Sequence, residues 1–330
     1  MKIFFYYLRE FDELGYCREF REKTGIDFGY TTQYPSMENA DLAAGADAIS
    51  FTPCAMPEEL MKKFADLGVR YFLCRSIGYD HVDLKTAARL GLRVSNVSYS
   101  PDGVADYAIM LMLMCLRRMG HILKRVELQD YTLKGKIGRD ITRCTVGVIG
   151  TGRIGTTVLK HLSGFGCRLI ANDLYPNSEA ARYAEYVDLD TLWREADVIS
   201  LHANATEQNY HLIGEESLAK MKDGVVIVNT SRGKLIDDKA LIRAIEAGKV
   251  GAAGLDVVEN EAGLYYYNHI GDVMKRDDLA ILRSFPNVII SPHTAFYTEQ
   301  DVSQMVEGCF TSLQLFAEGK ENPREVKAAK

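Results

Sequence analysis

The chain has 330 residues, too many for one ordinary core, and its 47% hydrophobic and 25% charged residues exclude a disordered protein. A net charge of −6 without a basic block argues against nucleic acid or an anionic membrane surface as a partner. Seven scattered cysteines, odd in number and never spaced C-x-x-C, argue against a disulfide framework and a zinc site and fit a reducing cytoplasm.

The apolar start at residues 1–7 is cut by Arg9 and Glu10, too soon for a secretory leader, and reads as an opening strand over residues 3–8. Further strands are expected at 48–51, 71–74 and 93–97, with an amphipathic helix at 58–65 among them. Pro101 and Asp102 then open an apolar helix to about Arg118. Its core, residues 107–116, is about half the length a bilayer requires, so it reads as a buried helix leading into a second domain.

The second series has six expected strands, at 145–149, 168–171, 198–202, 225–229, 251–257 and 287–290, with a helix at 239–247. The first strand runs into Gly150-Thr151-Gly152-Arg153-Ile154-Gly155 and then a helical pattern over 154–165. In such a G-x-G-x-x-G turn the first glycine makes the bend, the second admits a pyrophosphate to the backbone, and the third lets the helix pack on its strand. Asp173, about 20 positions on at the end of the next strand, is where ribose hydroxyls are held, and its charge repels the extra phosphate of NADP. NAD is therefore the expected cofactor. A last helix at 298–316 returns to the first domain, which gives an α/β fold of two doubly wound domains: residues 1–100 with 298–330, and residues 101–297.

Three further strand ends offer ionisable side chains. Arg232, in Asn229-Thr230-Ser231-Arg232-Gly233, can meet a substrate carboxylate with two parallel bonds and polarise an adjacent ketone. Asp256, Glu259 or Glu261 can orient a histidine, and His293, in Ser291-Pro292-His293, is held between a strand end and a proline turn. An arginine, an acid and a histidine downstream of a dinucleotide fingerprint are what reversible hydride transfer to a 2-oxo acid requires. A carboxylate beside the imidazole favours its charged, proton-donating form.

These segments, together with Arg75-Ser76-Ile77-Gly78-Tyr79-Asp80-His81-Val82-Asp83, the stretch from Tyr99 to Asp106, Met221-Lys222-Asp223-Gly224 and Pro292-His293-Thr294-Ala295-Phe296-Tyr297-Thr298, resemble the D-isomer-specific 2-hydroxyacid dehydrogenases over nearly the whole chain. The likeness is greatest to their D-lactate branch, including the vancomycin-resistance type. The resemblance implies a Rossmann NAD-binding domain inserted into a smaller flavodoxin-like substrate domain, and a homodimer built through the nucleotide domains. It implies Arg232 as the substrate-binding arginine, His293 as proton donor, and Glu261 rather than Glu259 as its partner. It assigns Arg153 and Ile154 to the pyrophosphate, Ala203, Asn204 and Asn209 to the adenosine side, and Thr230 and Asp256 to the nicotinamide, with Ser231 also in the cofactor site. Substrate contacts fall to Ser76, Ile77, Gly78, Tyr99 and Phe296.

Pyruvate is the first expected substrate. Met56, aligned with an aromatic plug of some relatives, and Ser76, often asparagine in them, point to larger 2-oxo acids such as phenylpyruvate or 2-oxoisocaproate as the alternative. Asn204 stands where many relatives have proline. A protein that senses NADH and binds partners as a corepressor does is the rival of a different class. Tyr265-Tyr266-Tyr267 reads as loop packing, Trp193 as a helix anchor, and His202 and His211 as satisfied histidines; no metal is expected.

Overall fold

The computed structural model describes residues 1–328, and the chain divides into two compact units, residues 1–100 with 297 onward, and residues 101–296. Ala329 and Lys330, assigned from sequence to the first domain, lie outside the described residues. Tyr297 belongs to the first unit, not the second as expected. Its hydroxyl donates to Asp12 at 2.6 Å, and its ring faces the Arg9 guanidinium.

In the first unit β1 (Lys2–Phe5), β2 (Asp27–Tyr30), β3 (Ala48–Phe51), β4 (Tyr71–Cys74) and β5 (Arg93–Ser95) form a parallel sheet in the order β5-β4-β3-β1-β2. This is the 2-1-3-4-5 order of flavodoxin-like sheets. The antiparallel pair Glu325–Val326 extends it beside β5. β1 stops three residues short of its expected end because Tyr7 sits at φ +50, outside the extended region. β2 was not anticipated: it is an edge strand of four residues in which Asp27 and Gly29, both poor strand formers, alternate with Phe28 and Tyr30.

Phe51 and Phe64 meet Phe72 edge to face at 5.5 and 6.0 Å on one side of this sheet, and the helix Glu299–Ala317 buries Phe310 near Phe5 on the other. Arg75, just past β4, is fully buried against Glu13 at 3.1 Å and donates to Ser50 Oγ and the carbonyls of Tyr6 and Tyr7. Every charge in that pair is met by hydrogen bonds, the condition under which a buried ion pair is tolerated. It fixes the chain where Ser76 to Gly78 begin.

The second unit holds β6 (Thr145–Ile149), β7 (Arg168–Asn172), β8 (Glu185–Tyr186), β9 (Val198–Leu201), β10 (Val225–Asn229), β11 (Val250–Leu255) and β12 (Val288–Ile290). All are parallel, in the order β12-β11-β10-β9-β6-β7-β8, the 3-2-1-4-5-6 Rossmann order with one strand added. The six strands expected from sequence are present; β8, of two residues and too short to show periodicity, was not expected and takes the third position of that order, with β12 the strand beyond its six. β9 and β10 are buried along their whole length, as a sheet covered on both faces requires. The helix Asp102–Leu116 covers one face, close enough to β11 that a Cβ at Gly254 would lie 3.1 Å from that of Leu111. Trp193 seals the other face from the helix Leu189–Glu195. The sheet changes direction between β6 and β9, so the loops leaving their carboxyl ends open the crevice where doubly wound folds bind ligands.

Candidate active site

Gly150 follows β6 at φ +90, with its α-carbon pressed against the backbone of His202 and Ala203 after β9; a side chain there meets both strain and main chain. A Cβ at Gly155 would strike the Gly150 carbonyl oxygen, which explains the third glycine. Gly152, N-cap of the ten-residue helix Arg153–Leu162, differs: a Cβ there would meet nothing within 4 Å. The helix N-terminus is thus accessible at the one glycine where a pyrophosphate must approach. Arg153 is exposed and Ile154 half-buried at that end.

The Asp173 carboxylate lies beside this turn, accepting from the Thr151 N–H and hydroxyl and from the Tyr175 N–H at 2.8 Å. Asn209 organises the loop after β9: its amide donates to the Asn204 carbonyl at 2.7 Å and accepts the Thr206 N–H. Ser231 ties the loop after β10 to the same region by donating to the Ala203 carbonyl. Thr230 Oγ1 is buried with no hydrogen-bond partner among the described residues, as fits a hydroxyl awaiting a ligand group. These residues form a site suited to a dinucleotide, whose chemistry when bound is hydride donation and acceptance.

Of the ionisable trio, Glu261 and His293 are in contact, and Arg232 stands on the loop packed against that of Glu261. His293 Nδ1 lies 2.6 Å from Glu261 Oε1, so the carboxylate engages Nδ1 of the ring and not Nε2. His293 itself sits at φ +53, a conformation its surroundings must impose. They do so through Asp256, fully buried at the end of β11, whose carboxylate accepts from Ser291 Oγ at 2.6 Å and from the N–H groups of Thr294 and Ala295 at 2.9 Å. The Asp256 carbonyl takes the His293 N–H at 2.8 Å. Arg232 leaves β10 through a turn held by Asn229, whose side chain binds the Arg232 carbonyl and the Ser231 N–H. Gly233 packs so closely on Val258 that a Cβ would collide with its carbonyl, which brings the arginine loop against the loop of Glu261.

Phe296 meets the His293 ring edge to face at 6.2 Å. Tyr266 stands beside that ring at 6.3 Å and donates its hydroxyl to the His293 carbonyl at 2.9 Å. Tyr266 is therefore more than loop packing, and only its place in an aromatic run near Glu261 hinted at it. His211 is a satisfied histidine, as expected, but its partner is not legible from spacing: its Nε2 contacts Glu259, 48 residues on, at 3.1 Å. His202 bonds Ser200 at 2.8 Å, and burial pushes its imidazole down to about 4. No cluster of metal-binding side chains occurs among the described residues.

The remaining expected substrate residues belong to the first unit. Ser76 Oγ donates to the Gly78 carbonyl at 2.6 Å and Asn96 holds the Ile77 carbonyl at 2.7 Å, so this segment after β4 is a tied turn. Tyr99 is half-buried nearby in sequence to the end of that unit. Met56, read as a pocket wall, is 6% exposed and packs in the first unit's own apolar cluster.

Residues 109–295 match the family model "D-isomer specific 2-hydroxyacid dehydrogenase, NAD binding domain". The chain is 44% identical to an aromatic 2-oxoacid reductase of Clostridium sporogenes over 96% of both chains. It is 38% identical to the D-lactate dehydrogenase of Lactobacillus delbrueckii subsp. bulgaricus over 99% of both. Among solved structures, a D-2-hydroxyisocaproate dehydrogenase superposes with a TM-score of 0.90 at 33% identity, covering 99% of this chain and all of that one. The chain belongs to the D-isomer specific 2-hydroxyacid dehydrogenases and is an NAD-dependent enzyme of that family.

Proposed function

We propose that the enzyme reduces 2-oxo acids to D-2-hydroxy acids with NADH, that Arg232, Glu261 and His293 carry the reaction, and that aromatic and other bulky side chains are preferred to the methyl of pyruvate. The 2.6 Å contact between Glu261 and His293, one loop away from Arg232, carries the catalytic part. Arg232 grips the substrate carboxylate and polarises the ketone. His293 delivers its proton from Nε2 to the oxygen as it becomes an alkoxide, while Glu261 at Nδ1 fixes the orientation of the ring. In the reverse direction the neutral ring removes the hydroxyl proton.

The preference for bulk rests on the identity of 44% with an aromatic 2-oxoacid reductase against 38% with a D-lactate dehydrogenase. The two aromatic rings flanking His293 support it. Buried Met56 does not, so the sequence-based order, pyruvate first, is reversed on other grounds. The chemistry is tested by following both directions across pH: reduction is expected to decline and alcohol oxidation to rise as pH increases. Parallel responses in the two directions count against His293 as the shuttle, and negligible turnover with tight NADH binding favours a sensor.

We also propose a homodimer through the second unit. Leu128, Tyr131, Leu133 and Ile137 are 73–88% exposed on one stretch of chain, an apolar surface that a second copy would cover. A solution mass of one chain would contradict it.

A further inference from the structure

Glu259, the acid two residues before Glu261, is a heavily engaged carboxylate of the second unit. Its side chain accepts from Tyr210 Oη at 2.8 Å and contacts His211 Nε2 at 3.1 and 3.2 Å. Its carbonyl accepts from Arg276 at 2.9 Å. The same guanidinium donates to the Asn260 carbonyl at 2.7 Å and is itself fixed by Asp278 at 2.7 Å.

This density of bonds has a local reason. Asn260 sits at φ +55, so the chain turns through the left-handed region between the two glutamates, a conformation asparagine tolerates better than most side chains. The turn sets where Glu261 emerges. His211, also left-handed at φ +53, is stacked 3.8 Å from Tyr210, and its N–H is tied to the Lys234 carbonyl, so the platform that receives Glu259 is itself rigid.

We propose that Glu259 is the positioning residue of the catalytic acid: by anchoring the left-handed turn to Tyr210, His211 and Arg276 it holds Glu261 against His293 Nδ1. The inference rests on the reading of Glu261 as partner of the histidine. The charged and titratable groups around Glu259 are Tyr210 and His211 from the loop after β9, Asp237 and Asp238 at the start of the helix Asp238–Glu246, and Arg276 and Asp278 before and within the helix Asp277–Ser284. Asp238 is raised to about 7, chiefly by burial, so this network contains a group that titrates near neutrality. Measurements on Glu259 variants therefore need an Asp238→Asn background as a control for that group.

The test compares pH profiles of 2-oxo acid reduction for wild type, Glu259→Ala, Glu259→Gln, His211→Ala and Glu261→Gln, with NADH affinity measured separately by fluorescence. Glu259→Ala is expected to lower kcat roughly tenfold and to move the pH at which reduction declines downward by about half a unit, with NADH affinity within about twofold of wild type. Glu259→Gln retains an acceptor for Tyr210 and is expected to recover part of both losses. Glu259→Ala and His211→Ala together are expected to cost less than the product of their separate effects. If Glu259→Ala does not fold, Glu259→Gln and Tyr210→Phe supply the same comparison. A wild-type pH profile for the Glu259 variants, while Glu261→Gln is severely impaired, overturns the positioning role alone; an unimpaired Glu261→Gln overturns the catalytic reading and the inference with it.

Discussion

At the scale of single residues, Arg232 and His293 stood out as candidates because each stands just past a strand in a sequence with a dinucleotide fingerprint, whereas the choice of Glu261 among three acids came from the family resemblance. What that logic misses is support from a distance. Tyr266 braces the His293 carbonyl from 27 residues away, and Glu259 meets His211 from 48. No periodicity encodes such pairs. Met56 shows another limit: alignment to an aromatic plug says nothing of burial, and the side chain packs in the first unit's apolar cluster. Arg232 carries the sharpest prediction at this scale. Lysine keeps the charge but loses the planar fork, so Arg232→Lys is expected to lower kcat/KM on the order of 10²-fold, with both a raised KM and a lowered kcat in steady-state assays. Unchanged kinetics would remove it from the site.

Elements explain why the residues meet. β6, β9, β10 and β11 deliver their carboxyl ends to one edge of the sheet, and fully buried Asp256 then laces the His293 turn to the end of β11. Strand periodicity was enough to find these elements, whereas β2 and β8 are short edge strands that it did not reveal. The glycine turn separates binding from folding. Gly155→Ala drives a methyl into the Gly150 carbonyl and is expected to lower Tm markedly, by several kcal/mol of stability. Gly152→Ala meets no protein atom within 4 Å, so it should leave Tm near wild type while weakening NADH binding roughly tenfold, about 1.4 kcal/mol. Calorimetry and NADH titration of the two variants distinguish these outcomes; equal effects on both would contradict the assignment of the loop.

On the scale of the whole molecule, a mixed sheet and a parallel sheet with different strand orders are threaded by one chain that leaves the first unit near residue 100 and returns near 297. The return was readable because the helix Glu299–Ala317 follows a complete Rossmann set and has no place left in it. Substrate choice was not readable, since it depends on side-chain orientation around the histidine and not on the motifs that define the family. The most direct test of the account is the pair of kcat/KM values for NADH-dependent reduction of phenylpyruvate and of pyruvate by the purified enzyme. A phenylpyruvate value higher by about tenfold or more is the expected result, corresponding to one bulky group accommodated in the transition state. A clear excess for pyruvate would contradict the proposed preference and make the chain a D-lactate dehydrogenase in practice.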